Sequence, residues 1–130
     1  MKYSNVVVAG GGVLGSQIAF QAAYCGFNVT IWLRSEGSIG RTQPKIDHLK
    51  QTYIEAIEKM AEDKNAWCAG LADEDTFDKE ECLKKVENAY VNLKLELDMA
   101  KAVADADLVI ESMAENEKDK IAFYLSLIHI

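Results

Sequence analysis

The sequence is poor in the residues that build small special-purpose scaffolds. It holds one proline and three cysteines. Cys25, Cys68 and Cys82 are odd in number and form no C-x-x-C pair, which argues against a disulfide framework and a structural zinc site. The two histidines, His48 and His129, have no partner at metal-ligand spacing. There is no low-complexity tract, no internal repeat, and no apolar run near the ~18 residues a membrane span needs. The opening MKYSNVVVAGGG has one lysine and a short apolar stretch that meets glycines at once, so it is not a secretory signal. These absences predict a cytoplasmic chain with no membrane partner.

Basic residues are few and unevenly placed. Residues 1–50 carry Lys2, Arg34, Arg41, Lys45 and Lys50 against Glu36 and Asp47, whereas the rest is strongly acidic and brings the formal net charge to −7. An acidic chain without a basic stripe makes a poor nucleic-acid binder. The local positive excess near the N-terminus suits a small anionic ligand instead. The acidic remainder reads as a solvated face.

What is present is a strong hydrophobic pattern, 49% apolar over 130 residues, enough for one globular domain. Residues 6–9 form a β-branched run that stops at Gly10, as a buried strand does on entering a turn. Residues 14–24 read as a helix with a small-residue face, and Gly26 stands where a C-terminal cap is expected. Residues 28–33 read as a second strand. Strand, glycine turn, helix and strand make a βαβ unit with a parallel pair. Residues 35–43 read as a loop, after which Pro44 suits the first turn of a long amphipathic helix running to about 63. Its apolar face is Ile46, Leu49, Tyr53, Ile57 and Met60. Residues 64–76 read as a connection and 79–90 as a second helix with Leu83, Val86 and Tyr90 inward. The pair forms a helical hairpin inserted after the second strand. Residues 93–97 alternate as an edge strand, 99–106 form a short helix, 108–111 another buried strand, and a helix begins near Asn116. The last residues, LSLIHI, lose the polar alternation of an exposed helix, so the natural protein is expected to continue past a tail that is itself not native.

The chemistry lies in Gly10-Gly11-Gly12-Val13-Leu14-Gly15, which satisfies G-x-G-x-x-G between a strand and a helix. Gly10 makes the tight turn, Gly12 admits a pyrophosphate to the backbone, and Gly15 lets the helix lie close to the strands. The phosphates then meet unpaired N–H groups at the positive end of a helix dipole. The bland alternative is a tight turn without a ligand, but three glycines at this spacing in this context favour a dinucleotide. The end of the second strand selects which one. An acid there accepts from the adenosine ribose and repels a 2′-phosphate. This chain has Leu33, followed by Arg34 and Ser35. Arg34 can stack on adenine and pair with a 2′-phosphate, and Ser35 adds a hydroxyl. The cofactor expected is NAD(P), with NADP(H) favoured over NAD(H); Arg41 and Lys45 are further helpers.

The segments VVVAGGGVLGSQIAFQAAYCGFNVTIW and ADADLVIESMAENEKDKIAFY together resemble the N-terminal domain of the 3-hydroxyacyl-CoA dehydrogenase family, including its 3-hydroxybutyryl-CoA members, over residues 5 to about 124. The diagnostic part is a strand ending at Glu111, then Glu115, Asn116 and Lys120; the inserted hairpin is shared too. The resemblance implies an α/β Rossmann-type doubly wound parallel sheet, cut short at its C-terminal end. It implies hydride transfer between C3 of a 3-hydroxyacyl-CoA and the nicotinamide, with Glu115 and Lys120 beside the cofactor. The family's hairpin contacts coenzyme A, which makes Lys45 and Lys50 candidates for its phosphates. By the family's pattern the His–Glu dyad and the helical C-terminal domain lie beyond residue 130. The chain then holds no catalytic residue of its own, is inactive alone, and belongs to a homodimeric parent. Two readings compete: an NADP-dependent hydroxyacid or imine reductase, and a Rossmann module that senses a nucleotide without chemistry. As a truncated sheet exposes an edge and an apolar face, the piece is expected to be marginally stable or to aggregate.

Overall fold

The structure, a computed structural model, describes residues 4–113 and 117–128. Strands β1 (Asn5–Ala9), β2 (Asn28–Trp32), β3 (Lys94–Glu96) and β4 (Leu108–Glu111) form one parallel sheet in the order β3-β2-β1-β4. The β-branched runs supply the inner strands, and the charged, three-residue β3 takes an edge. Register places Val8 between Ile31 and Ile110, with Leu95 beyond Ile31. That cross-strand row faces the core.

Helix α1 (Val13–Tyr24) follows β1 and lies on this face. It ends where Gly26 takes φ +102°. There Gly26 N–H donates to Ala23 O and Phe27 N–H to Ala22 O, both at 3.1 Å, and the paired bonds stop the helix and turn the chain into β2. The inserted hairpin is α2 (Glu36–Glu62) and α3 (Lys79–Asn92), joined by short 3₁₀ turns at Lys64–Ala66 and Glu74–Thr76. Both helices pack on α1. Phe20, Ile31, Ile57 and Val86 are wholly buried between them and the sheet. Burying a side chain of this size contributes about 1.5–3 kcal/mol, so this layer dominates stability.

The opposite face carries α4 (Met99–Val103) and α5 (Glu117–Ile128). Trp32 points to that side, stacks on Phe123 with ring centroids 5.4 Å apart, and donates its indole N–H to Leu97 O at 3.0 Å. Asp107 ties the sheet's far end together. Its Oδ2 accepts from the N–H groups of Ser4 and Asn5, each at 2.9 Å, and these bonds hold its carboxyl below the usual range.

Several boundaries differ from expectation, most by one or two residues. Helix α2 begins at Glu36, eight residues before Pro44, and the expected loop at 35–43 is helical. Ser35 causes this: its hydroxyl accepts from Ser38 N–H and caps the helix. Pro44 therefore sits inside the helix, where it lacks the N–H that would bond Gly40 O. Strand β2 ends at Trp32, leaving Leu33 just past it, and α4 ends at Val103 rather than 106. The start expected near Asn116 lies outside the described residues; α5 is described from Glu117.

Candidate dinucleotide site

Parallel strands bring their carboxyl ends to one edge, and at this edge β1, β2 and β4 surround the glycine turn. Gly10 has φ +116°, a conformation that costs glycine nothing and any L side chain dearly. Its N–H donates to Trp32 O at 3.0 Å, and Ser112 N–H donates to Ala9 O at 3.0 Å, so all three strand ends are stitched to the turn. A Cβ at Gly15 would overlap the Gly10 carbonyl oxygen and the Ser112 hydroxyl. Helix α1 can thus approach only because residue 15 has no side chain. Gly12 is the reverse case: a Cβ there would meet nothing within 4 Å, so its open side faces free space. The turn at Gly10 and the close approach at Gly15 are thus both present, and Gly12 stands open.

A cleft of about 600 Å³ opens beside the turn. Gly10, Gly12, Val13 and Leu14 form one wall, and Leu33, Arg34, Ser35, Ser38, Arg41 and Lys45 the other. Val13 and Leu14 are 64% and 62% exposed at its mouth. Leu33 is buried; it packs on Gly11 and belongs to the core, so it offers a ribose no acceptor. The early start of α2 puts a helix N-terminus in the second wall, between Arg34 and Arg41. Here Ser35 Oγ lies 3.1 Å from Ser38 Oγ, which accepts from Arg41 Nη2 at 3.0 Å. Two guanidinium groups, an ammonium, two hydroxyls and the positive end of a helix dipole converge, a combination suited to a phosphate.

Not every expected residue joins them. Lys50 is turned into the hairpin, paired with Glu87 at 3.0 Å and seated 4.3 Å from the centre of the Tyr90 ring. Lys120 Nζ lies 3.5 Å from Glu111 Oε1, which brings α5 to the end of β4. Glu115 lies outside the described residues. His48 is exposed on α2, and His129 also lies outside the described residues. Among the described residues no three His, Cys, Asp or Glu side chains are grouped to hold a metal ion, and no helix is long and apolar enough to cross a membrane.

Sequence reasoning missed Gly11, Ser16 and Thr42. A Cβ at Gly11 would overlap the Thr42 and Leu33 side chains. The buried hydroxyls of Ser16 and Thr42 both donate to Gly11 O, each at 3.1 Å. The signal for Thr42 was Ile39-Thr42-Ile46, an inward face at helical steps that the assumption of a loop concealed.

The family described as 3-hydroxyacyl-CoA dehydrogenase, NAD binding domain, matches residues 5–130. A probable 3-hydroxyacyl-CoA dehydrogenase of Caenorhabditis elegans is 28% identical over 115 residues, covering 88% of this chain and 32% of the relative. The solved structure of a diketoreductase superposes with a TM-score of 0.74 at 32% identity, over 98% of this chain and 38% of that one. A 3-hydroxybutyryl-CoA dehydrogenase from Escherichia coli K12 shares the fold, with a TM-score of 0.69 at 24% identity, over 98% of this chain and 22% of that one. The chain thus spans between 22% and 38% of the length of these proteins.

Proposed function

Because the chain belongs to the 3-hydroxyacyl-CoA dehydrogenase family through its NAD binding domain, we propose that it holds the dinucleotide of an enzyme interconverting 3-hydroxyacyl-CoA and 3-ketoacyl-CoA. The observation that carries this reading is the convergence of the glycine turn and the basic wall on one cleft. The residues fit the group: Gly12 leaves room at the backbone, and the first N–H groups of α1 are the orphan donors of a helix start. In this reading Gly10, Gly12, Val13, Leu14 and Gly15 receive the pyrophosphate, and Glu115 and Lys120 stand on the nicotinamide side. When bound, the nicotinamide gives or accepts the hydride. A base must take the hydroxyl proton as the hydride leaves. We place that base, the remaining acyl-CoA contacts and the subunit contact of a homodimer outside these 130 residues. The 130 residues alone therefore bind cofactor without turning substrate over.

The cofactor we assign is NADP(H) in preference to NAD(H). Leu33 supplies no acceptor for a ribose 2′-hydroxyl, whereas Arg34, Ser35 and Arg41 stand at the start of α2 where a 2′-phosphate finds donors. Lys45 shares this wall and serves the same phosphate or that of coenzyme A. The test is a paired titration with NADPH and NADH at low salt, read by cofactor fluorescence. NADPH is expected to bind at least about tenfold more tightly, ~1.4 kcal/mol, with the preference lost in Arg34→Ala. Equal or reversed affinities would remove the NADP(H) assignment; turnover by the 130-residue chain would overturn the placement of the base.

A further inference from the structure

We propose that Thr42, on the inserted hairpin, is a positioning residue for the dinucleotide loop, acting through the Gly11–Gly12 peptide. The inference rests on the dinucleotide reading above and goes beyond it, because Thr42 lies far from the glycine motif in sequence and acts on the loop through its backbone.

The geometry is specific. Thr42 is 2% exposed, and its hydroxyl donates to Gly11 O at 3.1 Å. Ser16, wholly buried on α1, donates to the same oxygen at 3.1 Å. A carbonyl oxygen with two lone pairs is thereby saturated and cannot turn away without leaving two buried hydroxyls unpaired, at a cost for each. The peptide that follows is trans and planar. In a trans peptide the N–H points opposite to the C=O. Fixing Gly11 O toward Thr42 and Ser16 therefore fixes Gly12 N–H in the opposite direction, away from the core. Gly12 is also the residue with open space where its Cβ would be. Gly11 itself is clamped, since Thr42 and Leu33 fill the space around it.

Ser16 acts from the helix that the motif opens. Thr42 acts from a separate element, one helical turn from Ser38 and Lys45 on the basic wall. The Thr42 bond, unlike the Ser16 bond, thus ties the orientation of the pyrophosphate donor to the seating of the basic wall. Ligands carrying a pyrophosphate should feel its loss equally, whatever their 2′ substituent.

The experiment compares the 130-residue chain with Thr42→Val, Thr42→Ala and Thr42→Ser. Titrations with NADPH, NADH and ADP are run beside thermal melts. Valine keeps the volume and removes the hydroxyl. It is expected to weaken all three ligands by a common factor of about tenfold, and serine is expected to restore them. Thr42→Ala carries the same expectation should the valine variant not fold. A general loss of packing would lower the melting temperature in every variant without separating serine from valine in affinity. A folded valine or alanine variant that binds within about twofold of the parent, or a loss that serine does not rescue, overturns the assignment. A parent that binds none of the three ligands overturns the dinucleotide reading itself, whereas failure confined to the variants leaves that reading standing.

Discussion

The two halves of α2 are one helix with two kinds of support. Residues 36–45 are held by a serine cap and by a single buried side chain, Thr42, while charged and hydroxyl groups line the cleft. Residues 46–62 bury Ile46 and Ile57 in the core shared with α1 and α3, and Met60 is buried too. There Tyr53 meets Phe20 and Tyr24 edge-on, with centroids 4.7 and 5.6 Å away. Pro44 stands near the border and interrupts the hydrogen-bond ladder between them. The contrast separates two energies in one element. The lower half gains from apolar burial and keeps the hairpin in place. The upper half gains little from burial and spends its polar groups on the cleft.

Three substitutions sharpen or break this separation. Ile57→Ala should have the largest effect, because it empties a wholly buried site in the lower half. A loss of about 2–5 kcal/mol is expected by urea denaturation. Dinucleotide affinity of the folded protein should stay as it was; a parallel drop in affinity would mean that the halves are not separable. Gly11→Ala comes next. Its methyl group has no room between Thr42 and Leu33, so about 1–3 kcal/mol of stability should be lost together with affinity. An unchanged melting curve would show that the upper half yields freely.

The smallest effect concerns alkaline pH. Tyr53 donates its hydroxyl to Gln21 Oε1 at 2.6 Å, and burial pushes the phenol up to about 12. A free tyrosine ionises near about 10. The folded chain thus favours the neutral phenol, and this contribution is fully present below about pH 10 and is lost as pH rises toward about 12. Tyr53→Phe should flatten the alkaline limb of a stability–pH curve without abolishing it, since burial also raises Tyr24. An alkaline limb identical to that of the parent would show that Tyr53 stays wet.

Much of the architecture was legible because it rests on local signals. Apolar runs gave β1, β2 and β4, helical periodicity gave α1 and α3, and Gly26 gave the turn into β2. The inserted hairpin and an edge position for β3 followed from length and charge pattern. The start of α2 was not legible, as the serine, two glycines and proline around residues 35–44 are loop-forming by propensity. One capping hydroxyl and a buried threonine overrode that propensity. In the site, the glycine spacing and Arg34 could be read directly. The Ser16–Gly11–Thr42 contact could not, because 31 residues separate Gly11 from Thr42 and only the fold joins them. Lys50 is another contact that only the fold reveals: its partners, Glu87 and Tyr90, lie on the neighbouring helix.

Trp32 gives the molecule a built-in optical gauge. It lines the cleft, while its indole is immobilised by Leu97 O and the Phe123 ring. Indole emission overlaps the absorption of a reduced nicotinamide, so resonance transfer from this residue would report occupancy without a label. The other tryptophan, Trp67, packs on Phe77 in the connection between α2 and α3. Replacing Trp67 with phenylalanine leaves a single donor at the cleft wall, and its lifetime then becomes a molecular ruler for the distance to the bound ring.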